Sequence, residues 1–144
     1  MSTNPQGWDE LATPDFAGWA ERDAVAVLPL AAIEQHGPHL PVSTDRIIGE
    51  GIVEAACREA AADVPILVLP TLSVGTSPEH AAFAGTLSLD PATLETTLFD
   101  VGASVDRAGL RRLVVVNSHG GNRAVLDVAA LRMRTALGLL VVKA

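Results

Sequence analysis

Four apolar runs, at positions 24–30, 66–69, 113–116 and 139–142, carry no alternation of apolar and polar residues. A strand exposed on one face alternates, whereas one covered on both faces reads as continuous Val, Ile and Leu. Between these runs the apolar period changes to that of a helix. Residues 44 to about 62 place Ile48, Ile52, Ala55 and Ala56 on one face. The next helix starts at Asp90 as N-cap with Pro91 behind it. It repeats Leu94, Leu98, Val101 and Val105, and ends at Gly109 in the left-handed position that follows a helix. A third, from about Asn122, repeats Leu126, Ala130, Met133 and Leu137 and stops at Gly138. All three stripes read as core packing. A shorter helix is expected after Thr13-Pro14, with Trp8, Phe16 and Trp19 as packing anchors. Strand–helix alternation of this kind predicts right-handed crossovers and a parallel sheet covered by helices, an α/β fold.

The chain is 144 residues long, one domain's worth, and is read as a single domain over 1–144 with a flexible start at 1–6. With 49% hydrophobic and 19% charged residues it is globular rather than disordered. The formal charge of −7 argues against nucleic acid as a partner, because phosphate contacts need clustered Lys and Arg. The one basic doublet near a motif, Arg111-Arg112, reads as the flank of a strand. No apolar run approaches the ~20 residues of a membrane helix, and "MSTNPQGWDE" lacks the pattern of a secretory signal. The lone Cys57, read as a small packing hydrophobe, excludes an internal disulfide and fits the reducing cytoplasm.

In an open parallel sheet, ligands gather beyond the carboxyl ends of the strands. The loop after the first run reads "EQHGPHLPVSTD", that after the second "TLSVGTSPEHAAFAGTLSL", and that after the third "NSHGGN". All four histidines, His36, His39, His80 and His119, fall on these loops. Such segregation points to one site. Glu34 and His36, two apart in extended backbone, project to the same side. Asp45 re-enters at the start of the next helix, either as a ligand or simply as a first-turn acid favoured by the helix dipole. His119 leaves the third run, and Gly120-Gly121 are expected to let the backbone turn tightly into the following helix. Two imidazoles with two carboxylates suit zinc, manganese or iron(II) better than calcium or magnesium. The rival reading takes "SHGGN" as a backbone cradle for an anion on a non-catalytic βα module. Ser118 is a poor nucleophile candidate, since neighbours leaving a strand point apart.

"PLAAIEQHGPHLPVSTD", "SPEHAAFAGTLSL" and "VVVNSHGGN", in this order, resemble the creatininase family of metal-dependent amidohydrolases. The resemblance implies a three-layer α/β/α fold with a mostly parallel sheet, and a two-metal centre of zinc, manganese or iron. Glu34 and His119 would complete one metal, His36 the other, and Asp45 would bridge them. Where creatininase proper carries a further acid, this chain has Gly121. His39 is expected behind the ligands, orienting Glu34 or another metal ligand. Glu79 and His80 line the rim, buttress the first loop or contact another subunit. Asn117 fixes loop geometry and Asn122 caps the helix, while Ser118, Gly120 and Gly121 complete the surroundings. The implied activity is hydrolysis of a non-peptide or cyclic C–N amide bond of a small molecule by metal-bound hydroxide, in a homo-oligomer. Family members extend further than "LLVVKA", so the chain is expected to be an N-terminal fragment, with the general acid in the C-terminal part and an inactive fragment as a further alternative.

Overall fold

In the computed structural model, which describes residues 5–60 and 62–144, the chain runs β1 (Gln6–Gly7), α1 (Phe16–Glu21), β2 (Val25–Leu30), α2 (Thr44–Glu59), β3 (Ile66–Val68), α3 (Pro91–Arg107), β4 (Arg112–Asn117), α4 (Arg123–Leu137) and β5 (Leu140–Lys143). The strands form one sheet in the order β1-β3-β2-β4-β5, and every pairing is parallel. β2 to β5 occupy the four apolar runs. β1 is an addition: Gln6 pairs with Leu67 and Gly7 with Val68. Of the flexible start expected at 1–6, residues 1–4 lie outside the described residues and Gln6 is in this strand.

Successive residues of the unalternating strands serve two different cores. Ala26, Leu28 and Leu30 of β2 and Leu113 and Val115 of β4 join α3 and α4 through Leu94, Leu98, Val105, Leu126, Ala130 and Met133. Val25, Val27, Val114 and Val116 point the other way, into a smaller cluster with Val53 and Cys57 of α2. The result is three layers, α/β/α. Pro29 sits inside β2, a position that normally costs a ladder bond. Its missing N–H lies on the β3 side, beyond Val68, where β3 has ended and only Leu72 returns to donate to the Pro29 carbonyl.

α3 and α4 bury the stripes read from the sequence, and the start of α3 and the C-terminal ends of both helices are as expected. Asp90 accepts from the Ala92 N–H at 2.9 Å, and Gly109 and Gly138 adopt φ of +86° and +69°. α2 does not follow its expected stripe. Ile48 and Ile52 are each 52% exposed, Ala55 and Ala56 are exposed, and the buried positions are Asp45, Gly49 and Val53. The helix turns Gly49 against Ser118, beyond the end of β4, where a Cβ would lie 2.6 Å from the hydroxyl, and packs Val53 and Cys57 on the sheet. It also ends at Glu59, because Ala60 turns extended. The Trp8 and Phe16 rings meet at 4.7 Å, tilted by 56°, and Trp19 is buried in the larger core.

Candidate functional site

β2 leads to β3 on one side of the sheet and β4 leads to β5 on the other, so the chain's direction reverses between β2 and β4. At such a reversal the loops leaving adjacent strands part and open a crevice at their carboxyl ends. Glu34 follows β2 and His119 follows β4. The first loop is closed by the Glu34 N–H donating to the Val42 carbonyl at 3.0 Å, with Gly37 at φ +76° making the turn. Asp45 then enters from the first turn of α2. It caps nothing, since the side chain makes no bond to the helix end, and it is 8% exposed.

Glu34, Asp45 and His119 are all buried, and each offers a ligand atom within 4.8 Å of the others. His119 Nε2 donates to the Thr76 carbonyl at 3.0 Å, with the Ser77 hydroxyl 3.2 Å away. Its Nδ1 therefore turns a lone pair toward Asp45 Oδ2 at 3.1 Å and Glu34 Oε1 at 3.4 Å. On the other side, His36 Nδ1 donates to the Glu34 carbonyl at 3.1 Å, and Nε2 faces Asp45 Oδ1, also at 3.1 Å. Each oxygen of Asp45 thus meets a different imidazole. The backbone bond to Glu34, then the Asp45 carboxylate, raise the His36 pKa above its ordinary value, against the effect of burial.

Lone pairs facing carboxylate oxygens repel unless something positive lies between them. Asp45 Oδ2 is also buried without a hydrogen-bond partner. Unpaired buried carboxylate oxygens are costly, and the mixed N/O donor set matches what a first-row divalent cation takes. The residues present fit such a cation.

The other named residues divide. Gln35 donates to His80 Nδ1 at 3.1 Å, His80 Nε2 lies 3.9 Å from Glu34 Oε2, and Glu79 completes a second acid–histidine group with them. His39 is exposed and belongs to neither group, so the orienting role expected of it is not seen. Asn117 brackets the third loop, donating to the His119 carbonyl at 2.7 Å. Asn122 does not cap α4. Fully buried, its side chain accepts from the Thr76 N–H and donates to the Ala31 carbonyl, both at 3.0 Å, tying together all three loops. The Ser118 hydroxyl donates to the Leu30 carbonyl at 3.3 Å and is not activated. Neither Gly120 nor Gly121 has a positive φ, so the tight turn does not depend on glycine's conformational freedom. Gly121 is needed for space: a Cβ there would lie 2.4 Å from His119 Nε2 and 2.5 Å from the Thr76 carbonyl oxygen. Gly120 has open space. Gln35, Thr76 and Ser77 were not foreseen, and nothing in their local sequence distinguishes them from ordinary loop residues.

Fold and site define an α/β domain with a buried acid–histidine centre at the carboxyl edge of its sheet. The chain belongs to the creatininase family: the family model described as Creatininase: Creatinine amidohydrolase matches residues 9–143. It is 41% identical over 114 residues to the mycofactocin precursor peptide peptidase of Mycobacterium tuberculosis, covering 75% of this chain and 45% of that protein. It is 34% identical over 138 residues to the creatinine amidohydrolase of Pseudomonas putida, covering 90% and 50%. A solved structure named Creatininase Mn superimposes with a TM-score of 0.84 at 29% identity, over 98% of this chain and 58% of that one. A mutant creatininase of Zn-Zn type gives 0.81 at 31% identity, over 100% and 58%. The chain spans about half the length of these curated relatives, at 45% and 50%.

Proposed function

We propose that this chain carries the metal centre of an amidohydrolase that cleaves a non-peptide or cyclic C–N amide bond in a small molecule. The observation that carries the reading is Asp45, each of whose oxygens meets a different imidazole, with Glu34 closing the His119 side. Glu34, Asp45 and His119 would hold one divalent cation, and Asp45 and His36 would contribute to a second. Such a cation supplies Lewis acidity, ionising water near neutral pH and polarising an amide carbonyl. The chain's own residues fix the donors in place. The Thr76 carbonyl holds the His119 proton on Nε2, and the Glu34 carbonyl holds the His36 proton on Nδ1, so both free lone pairs face the acids. Asn122 keeps the three loops in register around them. Related structures named for manganese and for a zinc pair support those metals, and iron(II) suits the same donors. An anion at the "SHGGN" turn is disfavoured by the two buried carboxylates beside it.

The relatives' names, one for a precursor peptide and one for creatinine, support hydrolysis of an amide C–N bond and span both peptide and small cyclic substrates. We also propose a homo-oligomer, supported by the exposed Val128, Leu131, Leu140 and Val142 on α4 and the edge strand β5. The lone Cys57 supports a cytoplasmic setting. No helix among the described residues is long and apolar enough to cross a membrane.

The test is elemental analysis after reconstitution with zinc or manganese, followed by assay on creatinine, formamides and short peptides. Stoichiometric metal that is lost in His119→Ala supports the reading. A wild-type protein that retains no metal refutes it.

A further inference from the structure

Glu34 has one oxygen turned to the His119 cluster and another, Oε2, that is buried and unpaired. An imidazole, that of His80, stands beside that second oxygen, and its proton position is dictated through two hydrogen bonds. The Gly37 N–H donates to Gln35 Oε1 at 3.0 Å, which fixes the orientation of the Gln35 amide. The amide's NH2 end then donates to His80 Nδ1 at 3.1 Å. Because Nδ1 is the acceptor, the His80 ring proton sits on Nε2, and Nε2 lies 3.9 Å from Glu34 Oε2. That separation is longer than a hydrogen bond. The frame around the relay is fixed from both ends. Thr86 Oγ1 accepts from the Gln35 N–H at 3.2 Å, and the Leu87 N–H donates to the Ile33 carbonyl at 2.9 Å. The second loop therefore grips the first on either side of Glu34.

We infer that His80 is a positioning residue for Glu34: through the relay from Gly37 by way of Gln35, its Nε2–H takes up Oε2 and leaves Oε1 as the oxygen presented to the cation. This rests on the proposed cation centre. It also assigns the second acid–histidine group to orientation and not to a further metal, because His80 turns an N–H, and no lone pair, toward Glu34. Groups that orient a ligand in this way typically contribute about 10–100-fold to metal affinity.

The test uses Co2+ alone, with affinity measured by competition against a chelator and ligand geometry read from the visible d–d bands. His80→Ala is expected to weaken Co2+ binding about 10–100-fold and to shift the bands, with the melting temperature of the metal-free protein unchanged. His80→Gln, which restores an N–H donor, is expected to recover most of both. Gln35→Met, which leaves His80 in place but removes the amide that fixes its proton, is expected to weaken binding in the same direction. Unchanged affinity and bands in His80→Ala would overturn the inference. So would a loss of affinity accompanied by collapse of the metal-free protein's melting, which would mark His80 as structural. If the wild-type protein binds no Co2+, zinc or manganese, the cation centre itself falls and this inference with it.

Discussion

Replacing Gly121 by alanine isolates a single close approach behind the candidate centre. The added Cβ would lie 2.4 Å from His119 Nε2 and 2.5 Å from the Thr76 carbonyl oxygen, both in a buried setting. Neither neighbour is the far end of a flexible chain, so the ring or the second loop must shift. Overpacking of a filled interior costs about 1–3 kcal/mol. Swinging the ring away instead strands the Thr76 carbonyl, at roughly the same cost. A net loss near 2 kcal/mol corresponds to a melting temperature lower by about 4–8 °C in a domain of this size. Moving His119 also misaligns Nδ1 against Asp45 and Glu34, so zinc or manganese affinity is expected to fall about 10–100-fold. Gly120→Ala is the internal control: it has open space, has no positive φ, and is expected to stay within about 0.5 kcal/mol of wild type. Thermal melts and chelator competition on both variants read the two effects separately. A Gly121→Ala protein that melts and binds like wild type would refute the reasoning, as would equal damage from Gly120→Ala.

Glu34→Gln is expected to stabilise the metal-free protein by about 1–3 kcal/mol, by relieving a buried unpaired carboxylate, while abolishing tight metal binding; melts with and without zinc show whether the two effects oppose. Asn122→Ala leaves the Thr76 N–H and the Ala31 carbonyl without partners, and should cost about 2–5 kcal/mol in denaturant unfolding. For His36, the folded pKa is raised by its bond to the Glu34 carbonyl and by Asp45. The stability this gives metal-free protein is fully present below the unfolded value near 6.5 and is lost as pH rises through the folded value. The stability gap between wild type and His36→Gln should therefore narrow from pH 5.5 to pH 8, and a gap that widens would contradict the assignment.

Much of the molecule follows from local pattern. Unalternating apolar runs separated by helical stripes dictate a parallel sheet covered on both faces, because only such strands can bury every side chain. Asp90 with Pro91, Gly109 and Gly138 mark helix ends through backbone chemistry that needs no tertiary context. The gathering of Glu34, His36, Asp45 and His119 was legible too, since the carboxyl ends of parallel strands share one edge whatever the loops do. What the sequence could not decide is which side of each element meets what. The α2 stripe of Ile48 and Ile52 faces outward because the helix turns Asp45, Gly49 and Val53 inward instead, with Gly49 against Ser118. Asn122 looks like a cap and instead joins three loops, and Gly121 looks like a residue chosen for a tight turn and is instead required because a Cβ would collide with His119. These roles depend on residues 31 to 122 meeting in space. Propensity and periodicity carry no information about such distant partners, so only the folded chain assigns them.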